Sequence, residues 1–288
     1  MLNKLILGTA NFNFNYGINR DNQKFSNNAI KKILDFCLQN NILNIDTASK
    51  YRGVEKKLGN FNLKRFNIST KLDLLPKNSK NIESYIFSKI KKSIKNLNID
   101  KIENYFLHNP NDLIKLKYKK KIYQTLVKAK KIGLINNIGI SVYDIEELNE
   151  IIKRYNIDVV QLPYSLFDRR FEKMIYKLKK KNINVQIRSI FLQGLLLYQL
   201  SELPKKFLRF KEFLKFNAWL KKNKTSQIEA SINFVKKHKF IDNFIFGFNN
   251  IEQLRQICKL FKKNSYSFPK KIFSNNVQLI DPRKWNQI

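Results

Sequence analysis

The alternation of short apolar runs with longer segments of helical period is the feature that most constrains the fold of this 288-residue chain. The short runs are rich in β-branched and aromatic residues, which favour strands. Nearly continuous apolar runs are typical of strands buried on both faces, as in a parallel sheet whose connections are helices. We predict eight strands, over residues 4–9, 42–47, 66–71, 102–108, 136–141, 158–164, 184–190 and 243–248.

The segments between these runs carry helical signals. In residues 81–99 an isoleucine or leucine recurs every three or four positions, which forms the apolar stripe of an amphipathic helix. Asp144, with Glu147 three residues later, is a helix-start pattern. Eight strand–helix units over about 250 residues favour a closed (β/α)8 TIM barrel. A doubly wound sheet is the main alternative, but Gly8 stands without the glycine-rich turn expected after its first strand.

Composition adds little to the choice of function. Lys and Arg number 56 against 22 Asp and Glu, a formal net charge of +34, but the lysines are scattered over many predicted helix faces. We therefore attribute the excess of positive charge to a solvated surface and to coding bias, in preference to a specific site for nucleic acid or another polyanion. Cys37 and Cys258 lie in apolar helical stretches, which is typical of core positions in a reducing compartment.

The apolar runs are too short for a signal peptide or a membrane-spanning helix, and no linker-like stretch interrupts the chain. We expect a single domain over residues 1–288, in a cytoplasmic protein without a membrane partner. The sequence leaves the oligomeric state open.

Four ionisable side chains lie at or just after the ends of three neighbouring predicted strands: Asp46, Tyr51, Lys71 and His108. In a barrel of parallel strands these ends meet at one face. A lysine ammonium lowers the pKa of a nearby phenol, an aspartate holds that lysine charged, and a histidine supplies a hydrogen bond to a reacting oxygen. The set suits protonation of a carbonyl oxygen during reduction by a hydride donor.

These residues lie in motifs through which the chain resembles the aldo/keto reductases. The motifs include IDTASKYRGVEKKLG, ISTK, YFLHNP and RSIFLQGLL, in that order along the sequence. The resemblance implies a (β/α)8 barrel that binds NADPH or NADH in extended form, with NADP favoured by the family and without a metal. It also implies that Tyr51 is the general acid, that Lys71 and Asp46 tune it, and that His108 orients the substrate carbonyl.

The resemblance further implies a set of cofactor contacts. Ser141 and Gln161 match positions that hydrogen-bond the nicotinamide carboxamide, and Thr9 lies beside the ribose region. The remaining candidates match segments that pack on the ring, meet the pyrophosphate or hold the adenosine end: Arg188, Ser189, Leu192, Gln193, Gly194, Gly247, Phe248, Asn249, Asn250 and Gln253.

The sequence departs from the family pattern at several positions. Asn249 and Asn250 stand where a basic residue usually meets a 2′-phosphate, which leaves the preference between NADP and NAD open. Val142 replaces the asparagine that usually follows the serine. Arg52 replaces the glycine that commonly follows the tyrosine, and a cation there is expected to narrow the pocket or to favour an anionic substrate.

The resemblance implies a nicotinamide-dependent oxidoreductase that interconverts an alcohol with an aldehyde, ketone or aldose. A sugar is the favoured small-molecule substrate because RSIFLQGLL and DPRKW resemble segments of bacterial members suspected of acting on sugars. The C-terminal segment, about residues 265–288, is expected to pack near the barrel mouth. The alternative is a non-catalytic, cofactor-binding barrel that binds or senses an anionic partner.

Overall fold

Eight parallel strands close into a barrel in which each strand pairs with its neighbours in chain order and the last pairs with the first. The computed structural model describes residues 1–13, 18, 25–264 and 267–287. The strands are β1 (Leu5–Gly8), β2 (Asn44–Asp46), β3 (Asn67–Leu72), β4 (Ile102–Leu107), β5 (Ile135–Ser141), β6 (Val159–Pro163), β7 (Asn184–Arg188) and β8 (Asn243–Phe246). The predicted (β/α)8 barrel is therefore confirmed.

Helices connect the strands and cover the outside of the barrel, as expected for parallel crossovers. They are α1 (Asn27–Gln39), α2 (Val54–Leu58), α3 (Ile82–Leu97), α4 (Asn111–Ile114), α5 (Lys119–Lys131), α6 (Ile145–Arg154), α7 (Glu172–Lys180), α8 (Lys211–Asn223), α9 (Gln227–Lys236), α10 (Ile251–Lys262) and α11 (Val277–Ile280). The short 3₁₀ segment Leu192–Leu197 follows β7, and another, Pro282–Gln287, lies near the C-terminus.

Local side-chain chemistry sets several helix ends. The predicted Asp144 cap of α6 is confirmed, because its carboxylate accepts hydrogen bonds from the backbone N–H groups of Glu146 and Glu147. Ser26 caps α1 in the same way, by accepting from Ala29. Helix α3 ends at Leu97, and the residue that caps it, Asn98, has a φ of 52°, in the left-handed region that asparagine tolerates better than most residues.

The main core lies between the barrel and its helices. Ile86 and Ile90 of α3 are fully buried, as the apolar stripe of residues 81–99 predicted. Burying one such side chain stabilises the fold by about 1.5–3 kcal/mol. No helix in the described ranges is both long enough and apolar enough to cross a membrane.

The strand register brings the ends of β2, β3 and β4 together. Asp46 is paired with Ser69, so Lys71 lies two residues farther along β3 and projects to the same side. Lys71 is in turn paired with Phe106, and His108 follows Phe106 by two residues. The two-residue period of strands therefore places Asp46, Lys71 and His108 on the same face of the sheet. Their positions at or just after the carboxyl ends of β2, β3 and β4 bring them to one end of the barrel.

Candidate active site

A cavity of about 350 Å³ opens at the end of the barrel to which the strands point their carboxyl ends. All four predicted catalytic residues and most of the predicted cofactor residues line it. Those lining the cavity are Thr9, Asp46, Tyr51, Lys71, His108, Ser141, Arg188, Ser189, Gln193, Gly194, Gly247, Phe248, Asn249 and Gln253.

Two of the residues that line this cavity, Asp46 and Lys71, form a buried ion pair. The Lys71 Nζ lies 2.6 Å from each carboxylate oxygen of Asp46 and donates to the backbone carbonyl of Thr47 at 2.9 Å. Both side chains are almost wholly shielded from solvent. Burial lowers the pKa of Lys71 from its ordinary value, and the attraction and hydrogen bond of Asp46 oppose that shift.

Tyr51 lies beside this pair at the end of the loop that follows β2. The loop is folded into tight turns, with hydrogen bonds from the Tyr51 N–H to the Ala48 carbonyl at 2.9 Å and from the Val54 N–H to the Tyr51 carbonyl at 2.7 Å. The Lys71 Nζ lies 5.7 Å from the centre of the Tyr51 ring. The phenol and the ammonium are thus near neighbours.

His108 follows β4 and faces the same cavity. Its backbone N–H donates to the Leu72 carbonyl at 3.3 Å, which fixes the end of β4 against β3. Its Nδ1 is buried without a hydrogen-bond partner in the described part of the chain. Burial, followed by the positive charges of Lys71, Arg188 and Lys50, lowers the pKa of His108 to about 3. The imidazole is therefore neutral at physiological pH.

Ser141 and Gln161, the predicted carboxamide contacts, are paired on β5 and β6 but have different surroundings. Ser141 lines the cavity. Gln161 is fully buried outside the described lining, and its Nε2 donates to Asp46 at 2.6 Å and to Gln186 at 3.1 Å. Its Oε1 has no partner among the described residues. The carboxamide contact of Gln161 therefore stays a prediction.

The loop after β7 contains a concentration of left-handed backbone. Ser189, Leu192, Gln193 and Gly194 all have positive φ, between 48° and 93°. For a residue other than glycine this conformation costs of order 1–3 kcal/mol, and it is found most often where a loop is shaped for a ligand. Leu192, a predicted pyrophosphate contact, is buried and lies outside the lining of the cavity.

The end of β8 forms another side of the cavity. Asn249 donates its backbone N–H to Gln253 Oε1 at 2.7 Å, and both residues line the cavity. Asn250 lies outside the lining, where its side chain caps α10 by accepting from the Gln253 N–H at 2.9 Å.

Arg52 also lies outside the lining and is exposed, so the predicted narrowing of the pocket by this side chain is wrong.

Sequence reasoning missed several residues that line the cavity. They are Gly8, Ala10, Asn11, Tyr143, Ile190, Phe191, Leu197 and Ile245. The alternation of side chains along a strand could have indicated two of them. Asn11 and Tyr143 each lie two positions after a predicted cofactor contact at a strand end, Thr9 and Ser141.

Comparison with known proteins assigns the chain to a family. A model of the aldo/keto reductase family matches residues 4–270. The chain belongs to the aldo/keto reductase family.

Two relatives of Bacillus subtilis support the same assignment. The uncharacterized oxidoreductase YqkF is 29% identical over 184 residues, which cover 60% of this chain and 59% of that protein. The aldo-keto reductase YhdN is 28% identical over 118 residues, which cover 41% of this chain and 35% of that protein. The matches thus span less than two thirds of either relative.

Solved structures of aldo/keto reductases share the fold. The holo form of aldo-keto reductase AKR11C1 from Bacillus halodurans superimposes with a TM-score of 0.74 at 20% identity, over 93% of this chain and 94% of that one. Its apo form superimposes with a TM-score of 0.70. At this level of identity the likeness establishes the barrel, and the chemistry of the cavity is argued from its own residues.

Proposed function

We propose that this aldo/keto reductase is a nicotinamide-dependent oxidoreductase that interconverts a carbonyl group and an alcohol, with Tyr51 as the general acid and base. One observation carries the proposal: the buried Lys71–Asp46 pair lies beneath the Tyr51 ring, in a cavity that His108 also lines. Such a set is suited to proton transfer at an oxygen atom.

Two observations support a nicotinamide dinucleotide as the ligand of this cavity. A Cβ added to Gly247 would meet no atom within 4 Å, so the backbone there borders open space that a ligand is able to enter. The Oε1 of Gln161, the register partner of Ser141, is a buried acceptor without a partner among the described residues. A bound reduced dinucleotide would supply the hydride for carbonyl reduction, held by Ser141, Gly247 and the loop after β7.

Lys71 and Asp46 prepare Tyr51 for proton transfer. An ammonium close to a phenol stabilises the phenolate, so the proton moves more easily to a developing alkoxide and returns in the reverse reaction. Burial lowers the pKa of Lys71, and the charge and hydrogen bond of Asp46 act in the opposite direction, in favour of the ammonium. Gln161 donates to Asp46 and thereby fixes the carboxylate.

His108 orients the carbonyl group in this scheme. Because its pKa is lowered to about 3, it is neutral and carries one N–H donor at physiological pH. A neutral donor is able to hold the carbonyl oxygen near Tyr51 without competing as a proton source. The substrate class proposed is a polar aldehyde, ketone or aldose, and the dinucleotide is NADPH or NADH.

The test is oxidation of NADPH and of NADH, followed at 340 nm, with a panel of aldehydes, ketones and aldoses. Tyr51→Phe removes the proton donor and is expected to lower kcat by roughly 10²- to 10⁴-fold. Tyr176→Phe, at an exposed tyrosine of α7, is the matched control and is expected to retain wild-type activity.

Undiminished turnover by Tyr51→Phe would refute the proposed role of this residue. If no carbonyl compound were reduced and the protein instead bound nucleic acid tightly and in a salt-sensitive manner, the non-catalytic alternative would hold.

A further inference from the structure

Among the described residues that line the cavity, Arg188 carries a guanidinium without a carboxylate partner. Arg188, at the end of β7, is partly buried and lines the cavity. One of its terminal nitrogens donates to the Val142 carbonyl at 2.9 Å. None of the ion pairs among the described residues involves Arg188. A partly desolvated charge without a counter-ion is costly, which points to a ligand that supplies one.

The charges that line the cavity do not balance. Among the described residues that line it, Asp46 is the sole acidic one, and Lys71 binds both oxygens of its carboxylate. That pair is neutral overall, and His108 is neutral as well, so the charge of Arg188 remains. The described lining therefore has one positive charge in excess.

Arg188 is also held in a fixed position. Its guanidinium carbon lies 3.9 Å from the centre of the Tyr143 ring, and that of Arg283 lies 4.2 Å from the same ring. We call this arrangement the Arg188–Tyr143–Arg283 stack. Cation–π contacts of this kind restrain the guanidinium, so less freedom is lost when it binds a ligand.

The second cation of the stack is neutralised, whereas the first is not. The Arg283 guanidinium donates to the buried carboxylate of Asp281, and its shortest contacts are from Nη2 at 2.6 Å and from Nε at 2.9 Å. Arg283, in the 3₁₀ segment Pro282–Gln287, thus contacts the Tyr143 ring while Asp281 neutralises its positive charge. The free charge of the stack is concentrated on Arg188, at the cavity.

The positive charge of Arg188 acts on Lys71 and His108, the residues beside which the substrate carbonyl group is expected. It contributes to the lowered pKa values of both Lys71 and His108, so it lies within electrostatic range of both. Lys50, an exposed residue, acts on His108 in the same direction. An anion entering the cavity is attracted by both groups.

We propose that Arg188 binds an anionic group of the substrate, a carboxylate or a phosphate, and that the protein therefore prefers anionic carbonyl compounds over neutral ones. This inference rests on the proposed function. Guanidinium groups match carboxylate and phosphate oxygens in a two-pronged geometry. With one of its five N–H donors on Val142, Arg188 retains others for such a group.

The experiment compares two aldehydes of similar size, 4-carboxybenzaldehyde and its neutral methyl ester, each at a saturating concentration of dinucleotide. The ratio of kcat/KM for the acid to that for the ester is measured for wild type, Arg188→Gln, Arg188→Lys and Arg154→Gln. We expect the wild-type ratio to be above one and to fall by roughly 10- to 100-fold in Arg188→Gln, chiefly through a higher KM for the acid. Arg188→Lys is expected to retain part of the ratio.

Arg154→Gln is the matched control, because this exposed arginine of α6 lies outside the described cavity lining and pairs with Glu150 on the surface. Its acid-to-ester ratio is expected to equal that of the wild type.

Raising the NaCl concentration for the wild-type protein gives a second test that requires no substitution. The KM for the acid is expected to rise with salt while the KM for the ester stays constant.

Several results would overturn the inference. One is an unchanged acid-to-ester ratio in Arg188→Gln. Another is an Arg188→Gln variant that binds the dinucleotide more weakly in a fluorescence titration but keeps the acid-to-ester ratio of the wild type. The guanidinium would then bind the cofactor phosphates and not the substrate. If the wild type reduced neither aldehyde nor any compound of the carbonyl panel, the proposed function would fail, and this inference with it.

Discussion

Replacing Asp46 with asparagine tests whether the buried pair beneath Tyr51 is ionic. The substitution keeps the size of the side chain but leaves the Lys71 ammonium without its carboxylate, in a site where both side chains are almost fully buried. Removing one partner of such a pair costs about 3–5 kcal/mol. We expect Asp46→Asn to lower the free energy of unfolding at pH 7 by an amount in this range.

The same substitution gives a pH dependence of known sign. In the wild type, Asp46 raises the pKa of Lys71, against burial and the charge of Arg188, which lower it. In Asp46→Asn, burial and the charge of Arg188 still lower the pKa of Lys71, and the carboxylate that raised it is gone. Lys71 of the folded variant therefore loses its proton at a lower pH than Lys71 of the unfolded chain, whose pKa is about 10.4. Stability then rises with pH, by at most about 1.4 kcal/mol per pH unit, between the folded and unfolded pKa values.

The assay is urea denaturation at pH 7.0 and pH 9.5, followed by circular dichroism. The gap in unfolding free energy between wild type and Asp46→Asn is expected to shrink at the higher pH. Glu150→Gln breaks the exposed Arg154–Glu150 pair of α6 and serves as the control, with an expected change of about 0–0.5 kcal/mol at both pH values. A loss below about 1 kcal/mol at pH 7, or a loss that does not vary with pH, would refute the reasoning.

Three further predictions concern His108, Gly139 in β5 and Gly247 just after β8. His108 has a folded pKa of about 3, below its unfolded value of about 6.5, so its contribution to stability is complete above pH 6.5 and declines as the pH falls toward 3. Urea denaturation of wild type and His108→Asn should show the wild type losing more stability than the variant between pH 6.5 and 4.5, and equal losses would contradict the assignment. A Cβ at Gly139 would lie 2.4 Å from the buried Phe106 ring, so Gly139→Ala should destabilise the fold by about 1–3 kcal/mol in the same assay. Gly247→Ala meets no atom within 4 Å and should keep the wild-type stability while weakening dinucleotide binding in a fluorescence titration; wild-type affinity would argue against a ligand beside Gly247.

The sequence by itself determined the barrel and the grouping of the predicted catalytic residues. Eight apolar runs separated by amphipathic segments leave few folds other than a closed parallel barrel, and parallel strands present their carboxyl ends at one face. Asp46, Lys71 and His108 lie at such ends, so their common direction follows from the two-residue period of strands. The roles assigned to them came from the family resemblance and are still proposals.

Tertiary structure decided the contacts between side chains that are distant in the chain. Gln161 donates to Asp46 across 115 positions, which nothing in either local sequence indicates. The Arg188–Tyr143–Arg283 stack joins β7, the loop after β5 and the C-terminal 3₁₀ segment in the same way. Local sequence encodes the period and ends of each element, whereas the partner of a side chain depends on rotamers and packing that exist only once the barrel has closed.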